Sequence, residues 1–131
     1  MAMVSRDKLK VKGLKRFVKS FGYAVDGLKY AFKYEQNIIA HTIATILVVA
    51  FGIAFHLNYT EWLIIILIIG LVVATELINT SIEAAIDLCT KEQNPLAKVA
   101  KDTAAAAVMV FAIIAVILGL MIFIPKILAL F

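Results

Sequence analysis

Hydrophobic residues are concentrated in three long runs of the chain, which short polar segments separate. The runs cover about residues 36–57, 62–89 and 96–125. Each is long enough to supply the ~20 helical residues that cross a ~30 Å hydrocarbon layer. The pattern predicts an all-α membrane protein with three transmembrane helices.

The composition also favours a membrane domain. Of the 131 residues, 63% are hydrophobic, whereas a soluble domain is about 45–50% apolar. Too few polar residues remain to cover a globule of this size, so apolar side chains must face lipid or partner subunits. No internal repeat or low-complexity linker is apparent, and the single cysteine, Cys89, excludes a disulfide framework. We therefore predict one integral-membrane domain over residues 1–131.

A basic segment, residues 5–34, precedes the first hydrophobic run. Its apolar residues recur at helical spacing, and lysines and an arginine occupy the other side. The pattern is typical of an amphipathic helix on an anionic membrane surface, although the basic residues could serve only to fix the topology. Gly22 and Gly27 suggest a break in this helix or a close packing contact before the first span.

The basic residues also predict an orientation. Of the 13 lysines and arginines, nine precede the first span and three, Lys91, Lys98 and Lys101, lie in the 88–101 segment around the start of the third. The positive-inside rule then places the N-terminus and the 88–101 loop in the cytoplasm. A cleaved signal peptide is not expected, because the basic region is long and no small-residue cleavage site follows it. No nucleic-acid partner is expected.

The second span contains a stripe of polar residues. At ~100° per residue, Glu76, Asn79, Glu83 and Asp87 fall within an arc of about 80° on one helix face. A carboxylate within the bilayer costs at least ~2.5 kcal/mol on insertion scales, so it usually has a function. Glu76 is expected inside the bilayer near the cytoplasmic interface, Glu83 at the boundary and Asp87 in water.

Other charged residues are expected at the same cytoplasmic interface. Glu35 immediately precedes the first span, and Lys101 and Asp102 lie at the matching level of the third. Mg²⁺ is commonly held by one or two carboxylates together with nucleotide phosphates. A carboxylate withdrawn from water, such as Glu76, suits a general base acting on a lipid alcohol. Phosphoryl transfer to a lipid hydroxyl, an ion or proton pathway, and a structural polar network all fit these features.

The motif Glu76-Leu-Ile-Asn-Thr-Ser-Ile-Glu83, followed by Ala100-Lys101-Asp102, resembles the prokaryotic diacylglycerol kinase family, which includes undecaprenol kinases. Lys19-Ser-Phe-Gly-Tyr23, Gly27-Leu28-Lys29 and Glu35 also occur in the family's order and spacing. The resemblance implies a homotrimeric bundle in the bacterial cytoplasmic membrane. Each subunit would have a surface N-terminal helix and three spans, and neighbouring subunits would share active sites at the membrane interface.

The resemblance also implies roles for individual residues. Glu76 matches the family's catalytic base, and Glu35 and Glu83 match the carboxylates that hold Mg²⁺ with the ATP phosphates. Asn79 would help to position the reacting groups. The positions of the ATP site correspond here to Arg16, Lys19, Tyr23, Asn79, Asp87, Lys101 and Asp102.

Two positions depart from the family pattern. His41 stands where some diacylglycerol kinases have an acid near the lipid site, and Asn94 stands where a histidine is usual. The overall pattern is more similar to the undecaprenol kinases. We therefore expect an ATP- and Mg²⁺-dependent lipid kinase that prefers undecaprenol. Diacylglycerol is the alternative acceptor, and a small membrane transporter or structural subunit is the alternative class.

Overall fold

The computed structural model describes residues 13–131, which form four α-helices and no β-strand. The helices are α1 (Leu14–Tyr34), α2 (Gln36–Ala54), α3 (Tyr59–Cys89) and α4 (Pro95–Leu128). This confirms the all-α prediction. Residues 5–12 of the predicted surface segment lie outside the described residues. The chain divides into two compact units, with α1 in the first and α2, α3 and α4 in the second.

In the first unit, α1 is one continuous helix of 21 residues. Gly22 and Gly27 lie within it, and a Cβ added at either position would meet no described atom within 4 Å. The expected break at these glycines is therefore wrong, and the expected packing contact stays a prediction. Their effect on the helix is limited to the lower intrinsic helix propensity of glycine.

The three helices of the second unit are long and apolar enough to cross a membrane. This confirms the prediction of three membrane-spanning helices. α3 has 31 residues, which at 1.5 Å per residue is ~46 Å, well beyond the ~30 Å hydrocarbon thickness. It continues without interruption to Cys89, as the acidic stripe required. α3 packs extensively along α4 and over a shorter length on α2.

α2 and α3 are joined by a short connection, and we call this end of the unit the hairpin end. His56 in the connection has a positive φ of 50°. Asn58 caps α3 by accepting a hydrogen bond from the Glu61 backbone, and the Glu61 carboxylate accepts one from the Asn58 backbone at 2.8 Å. Glu61 also pairs with Lys126 of α4 at 2.9 Å. Glu61 Oε2 therefore takes part both in the cap of α3 and in the ion pair that joins α3 to α4.

Near the hairpin end, α2 and α3 pack closely at Gly52. A Cβ added to this buried glycine would lie 2.8 Å from the edge of the Trp62 indole ring. Elsewhere in the unit the buried positions are mostly aliphatic, including Ile65, Ile68 and Val72 of α3. They follow the helical repeat and form the seam along which α3 packs.

α4 extends beyond the span estimated from hydropathy. Pro125 lies inside the helix, which continues to Leu128. A proline lacks the N–H that would bond the carbonyl four residues earlier, but here it falls in the last turn, where little helix follows. The extension carries Lys126 to its ion pair with Glu61.

Candidate active site

Glu76 is the central residue of the candidate site. It lies on α3 and only 1% of its surface is exposed. Neither carboxylate oxygen has a hydrogen-bond partner among residues 13–131. Buried polar groups are normally hydrogen-bonded, so a carboxylate in this state is available for a ligand or a proton.

Asn79 lies one turn from Glu76 and is also buried. Its amide nitrogen donates a hydrogen bond to Glu83 Oε1 at 3.1 Å. Its carbonyl oxygen is buried and has no partner in the described part of the chain. Asn79 therefore orients Glu83 with one end of its amide and presents a free acceptor with the other.

Glu35 occupies the N-cap position of α2, but its side chain makes no capping hydrogen bond. Its half-buried carboxylate is therefore free for another role. Burial raises the pKa of Glu35 above its usual value, and the negative charges of Glu83 and then Glu76 raise it further. Glu35 and Glu83 therefore interact electrostatically and form one acidic group. We call this end of the unit, with the Asp87–Lys101 pair, the acidic end.

The carboxylates of Glu35 and Glu83 can be compared with the ligands that a metal ion requires. Within residues 13–131, no three histidine, cysteine, aspartate or glutamate side chains form a complete metal-binding cluster. Glu35 and Glu83 together supply hard carboxylate oxygens. Mg²⁺ typically uses one or two carboxylates and completes its shell with phosphates and water. The residues therefore fit Mg²⁺ bound together with a nucleotide better than a permanent metal site.

A polar cleft lies beyond the membrane-spanning part of α3. It has a volume of about 680 Å³ and is formed by the end of α3, the 90–94 loop and the start of α4. Two ion pairs line it, Asp87–Lys101 between the helices and Lys98–Asp102 within α4. The structure thus brings Asp87, Lys101 and Asp102 into one cleft.

At the start of α4, Asn94 has a structural role in this cleft. Asn94 Oδ1 accepts hydrogen bonds from the backbone of Leu96 at 2.9 Å and Ala97 at 3.4 Å. Pro95 follows as the first helical residue, where its missing N–H costs nothing. Asn94 therefore acts as a helix cap at this position. The positive end of the α4 dipole faces the cleft, which favours a bound anion.

The other residues that were predicted to contact ATP lie on α1, in the first unit. Arg16, Lys19 and Tyr23 follow one another at three- and four-residue spacing, so they share one face of the helix. All three are exposed. The structure thus groups these residues on α1 and, separately, the acids of α2 and α3.

Two residues near the site were not singled out from the sequence. Thr80 is buried, and its hydroxyl donates to the backbone carbonyl of Glu76 at 3.0 Å. Lys98 pairs with Asp102. Their positions four residues from Glu76 and Asp102 on a helix were the available signals, because side chains at that spacing meet.

An apolar groove occupies the membrane-spanning part of the same unit. It has a volume of about 610 Å³ and lies between α2 and α4, with α3 as its floor. His41 and Thr45 line it from α2, and the Thr45 hydroxyl is bonded to the His41 carbonyl at 2.8 Å. The other lining residues are apolar.

Comparison with known proteins identifies the family to which this chain belongs. A sequence model described as prokaryotic diacylglycerol kinase matches residues 22–123. The chain is 47% identical to the undecaprenol kinase of Bacillus subtilis, over 86% of this chain and 92% of that protein. It is 40% identical to a diacylglycerol kinase of Helicobacter pylori, over 77% of this chain and 79% of that protein. A diacylglycerol kinase of Synechocystis is 38% identical over 85% of this chain, which spans 64% of that protein. The chain therefore belongs to the prokaryotic diacylglycerol kinase family and is a membrane lipid kinase.

Proposed function

We propose that this lipid kinase transfers the γ-phosphoryl group of ATP to the hydroxyl of a membrane lipid alcohol in a Mg²⁺-dependent reaction. Undecaprenol is the preferred acceptor. The reaction takes place at the cytoplasmic interface of the bacterial inner membrane, where the N-terminus and the 88–101 loop lie. The basic residues before α2 and in the 88–101 segment support this orientation.

The buried and unpartnered carboxylate of Glu76 is the observation that carries the proposal. A carboxylate without a hydrogen-bond partner can accept the proton of an alcohol that is brought beside it. On α3, Glu83 lies about 10 Å nearer the acidic end and Asp87 about 16 Å nearer, at 1.5 Å per residue. The helix therefore connects a site for a membrane-bound alcohol with a cleft that is open to water.

The chemical step conserves atoms and charge. Glu76 accepts the hydroxyl proton, and the alcohol oxygen forms a bond to the γ-phosphorus of ATP. The bond from that phosphorus to the bridging oxygen breaks, and its electron pair leaves with ADP. Such a transfer depends mainly on positioning and on neutralising the charge of the phosphoryl oxygens. The neighbouring lysines suit that second task.

The charges of the cleft support the involvement of a divalent cation. Its acids are Asp87, Glu92 and Asp102, and its lysines are Lys91, Lys98 and Lys101. Because three acids balance three lysines, the side chains alone provide no net positive charge for a polyphosphate. Glu35 and Glu83 would hold Mg²⁺, which would coordinate the nucleotide phosphates directly and offset the charges of these two carboxylates. Asn79 keeps Glu83 in place through its hydrogen bond.

Residues of α1 and of neighbouring subunits complete the proposal. Arg16, Lys19 and Tyr23 present two cations and a phenol on one helix face, and we assign them to ATP. A homotrimer with shared sites agrees with the many large apolar side chains that α2 and α4 expose in the single chain. These side chains have to contact lipid or other subunits.

Diacylglycerol is the second candidate acceptor. The similarity to an undecaprenol kinase is the higher one, at 47% identity against 40% and 38% for the two diacylglycerol kinases. The replacement of an acid by His41 near the proposed lipid site also separates this chain from the diacylglycerol pattern described above. Both observations favour undecaprenol.

The proposal is tested by incubating the purified protein in mixed micelles with radiolabelled ATP, Mg²⁺ and either undecaprenol or dioleoylglycerol. We expect label in the lipid fraction for both alcohols, with a higher kcat/KM for undecaprenol, and no label after Mg²⁺ is chelated. Absence of transfer to either lipid would contradict the kinase function. A higher kcat/KM for dioleoylglycerol would reverse the order of acceptors.

A further inference from the structure

The apolar groove extends along α3 toward the hairpin end, and Glu76 lies close to its other end without lining it. Ile69 and Val72 line it from α3, and both lie on the helix face that carries Glu76, two turns and one turn away. The groove therefore lies on the face of α3 that carries the buried carboxylate, and its nearest lining residue on α3, Val72, is one turn from Glu76.

Distances along α3 and α4 also place one end of the groove near the depth of Glu76. Asp87 and Lys101 form an ion pair between α3 and α4. Glu76 and Ala112 each lie ~16 Å from that pair along their own helices, at 1.5 Å per residue. Ala112 lines the groove. The groove thus begins at the depth of the proposed base.

The α2 side begins at a similar depth. His41 of α2 lines the same groove as Val72 of α3 and Ala112 of α4. Among the α2 residues of the lining, His41 is the one nearest the start of that helix, at the acidic end. His41, the ionisable residue of the lining, is therefore near the depth at which the hydroxyl of the acceptor must lie.

We propose that this groove holds the first isoprene units of a polyprenol acceptor, with the hydroxyl at Glu76 and His41 beside it. The inference rests on the proposed kinase function and identifies the acceptor's chain as a determinant of specificity. Lipid is as apolar as the groove, so transfer from water does not drive the chain into it. Selection depends on shape and on dispersion contacts, which a poorly fitting chain loses.

The shape of the groove favours one slender chain. On the α4 side, Ala112, Ala115 and Gly119 keep the wall thin. At the hairpin end, the rings of Phe51, Phe55 and Phe123 lie 6.1–6.4 Å apart and narrow the groove. From His41 to Phe55 the groove extends ~21 Å along α2. A long polyprenol would therefore place only its first units inside and the remainder in the surrounding lipid.

Gly119 offers a direct test, because it lines the groove ~10 Å farther from the acidic end than Ala112. A Cβ at Gly119 would meet no described atom within 4 Å, so Gly119→Leu fills the groove without an immediate clash. The matched control is Gly70→Leu on α3, which also meets open space and does not line the groove. Both variants are assayed with undecaprenol and with geraniol, whose chain is too short to pass Gly119.

We expect Gly119→Leu to lower kcat/KM for undecaprenol about tenfold, the size of effect that small steric changes in a pocket produce. Geraniol phosphorylation and the KM for ATP should be unchanged, and Gly70→Leu should match the wild type with both alcohols. An equal loss with both alcohols, or no loss with undecaprenol, would overturn the inference. A loss with both alcohols together with a change in oligomer size would assign the groove to a second copy of the chain instead.

A measurement on the wild type does not depend on a variant folding. A farnesol analogue with a terminal photoreactive group is cross-linked to the protein in micelles, and the labelled peptides are identified by mass spectrometry. Labels on residues 44–55 or 115–123 are expected, and excess undecaprenol should suppress them. Labelling confined to other segments would refute the groove assignment. Failure of the wild type to phosphorylate any prenol would instead refute the proposed function.

Discussion

The two ends of the α2–α4 unit treat their carboxylates in opposite ways. At the hairpin end, Glu61 accepts a hydrogen bond from the Asn58 backbone and pairs with Lys126. Toward the acidic end, Glu76 is more deeply buried and has no partner within the described residues. Both are glutamates on the same helix, so residue type and hydropathy do not distinguish them. The difference lies in their partners. Glu61 has a hydrogen bond and an ion pair and acts as a structural acid, whereas Glu76 has no partner among the described residues and is available for chemistry.

The largest expected effect comes from removing the charge of Glu76, and the same substitution at Glu61 serves as the comparison. Glu76→Gln should lower kcat about a thousandfold, within the range for loss of a general base, while ATP binding stays close to that of the wild type. Glu61→Gln should leave kcat unchanged and lower the thermal stability only slightly, because its ion pair is partly exposed to solvent. Single-turnover assays, nucleotide binding and thermal unfolding in micelles measure the three quantities. If Glu76→Gln instead loses ATP affinity and turnover equally, Glu76 belongs to the metal site.

The next effect tests the link between Asn79 and Glu83. Asn79→Leu removes the amide that donates to Glu83 Oε1. Loss of a group that orients a metal ligand typically costs about 10–100-fold in affinity or activity. We therefore expect a higher Mg²⁺ concentration for half-maximal activity, by about tenfold. The control is Thr75→Val, which removes a hydroxyl bonded only to backbone carbonyls of α3. An unchanged Mg²⁺ titration in Asn79→Leu would show that Glu83 needs no such support.

A third prediction concerns packing at the hairpin end. Gly52→Ala places a Cβ 2.8 Å from the Trp62 ring. We expect a loss of about 1 kcal/mol, at the lower end of the cost of overpacking, because Trp62 is half-buried and can shift. Gly70→Ala is the control, since its Cβ would meet open space. Thermal unfolding in the same detergent should separate the two variants, and equal stabilities would mean that the contact with Trp62 is not tight.

The smallest effect is a pH dependence at the acidic end. The pKa of Glu35 is raised in the folded protein by burial and by Glu83 and Glu76. The folded state therefore keeps this proton to a higher pH than the unfolded chain does. Stability is lost as pH rises from the usual glutamate pKa through the raised value.

In Mg²⁺-free buffer, Glu35→Gln should accordingly lose less stability than the wild type between acidic and neutral pH. Thermal unfolding measured at several pH values checks this difference. Identical pH profiles for the two proteins would remove Glu35 from the acidic group.

The sequence predicted the elements whose signals are local. The hydrophobic runs identified three long helices, and the stripe from Glu76 to Asp87 required α3 to continue past the expected span, as it does to Cys89. The break at Gly22 and Gly27 was wrong, because glycine lowers helix propensity without forbidding a helix. The third span was expected to end at about residue 125, and three more residues follow in the helix.

Contacts between helices could not be predicted in the same way. The approach of Gly52 to Trp62 and the pairing of Glu61 with Lys126 join residues far apart in the chain. They depend on the register of one helix against another, which hydropathy does not report. The groove is a similar case, because its walls come from three helices. For the candidate site, the sequence identified the acids, and the structure added that Asn79 holds Glu83 and that Glu76 has no partner in the described chain.

The uninterrupted length of α3 has a consequence for the lipids in which the protein works. Because the helix is stiff along its axis, the ~16 Å between Glu76 and Asp87 cannot shrink or stretch with the thickness of the bilayer. A helix longer than the hydrocarbon layer adjusts to a change in thickness by tilting, and tilting changes the depth of Glu76 below the headgroups. A series of phosphatidylcholine bilayers with different acyl lengths should therefore show a turnover maximum at one thickness. In this respect the host membrane is a variable of the reaction, just as the concentration of a soluble substrate is.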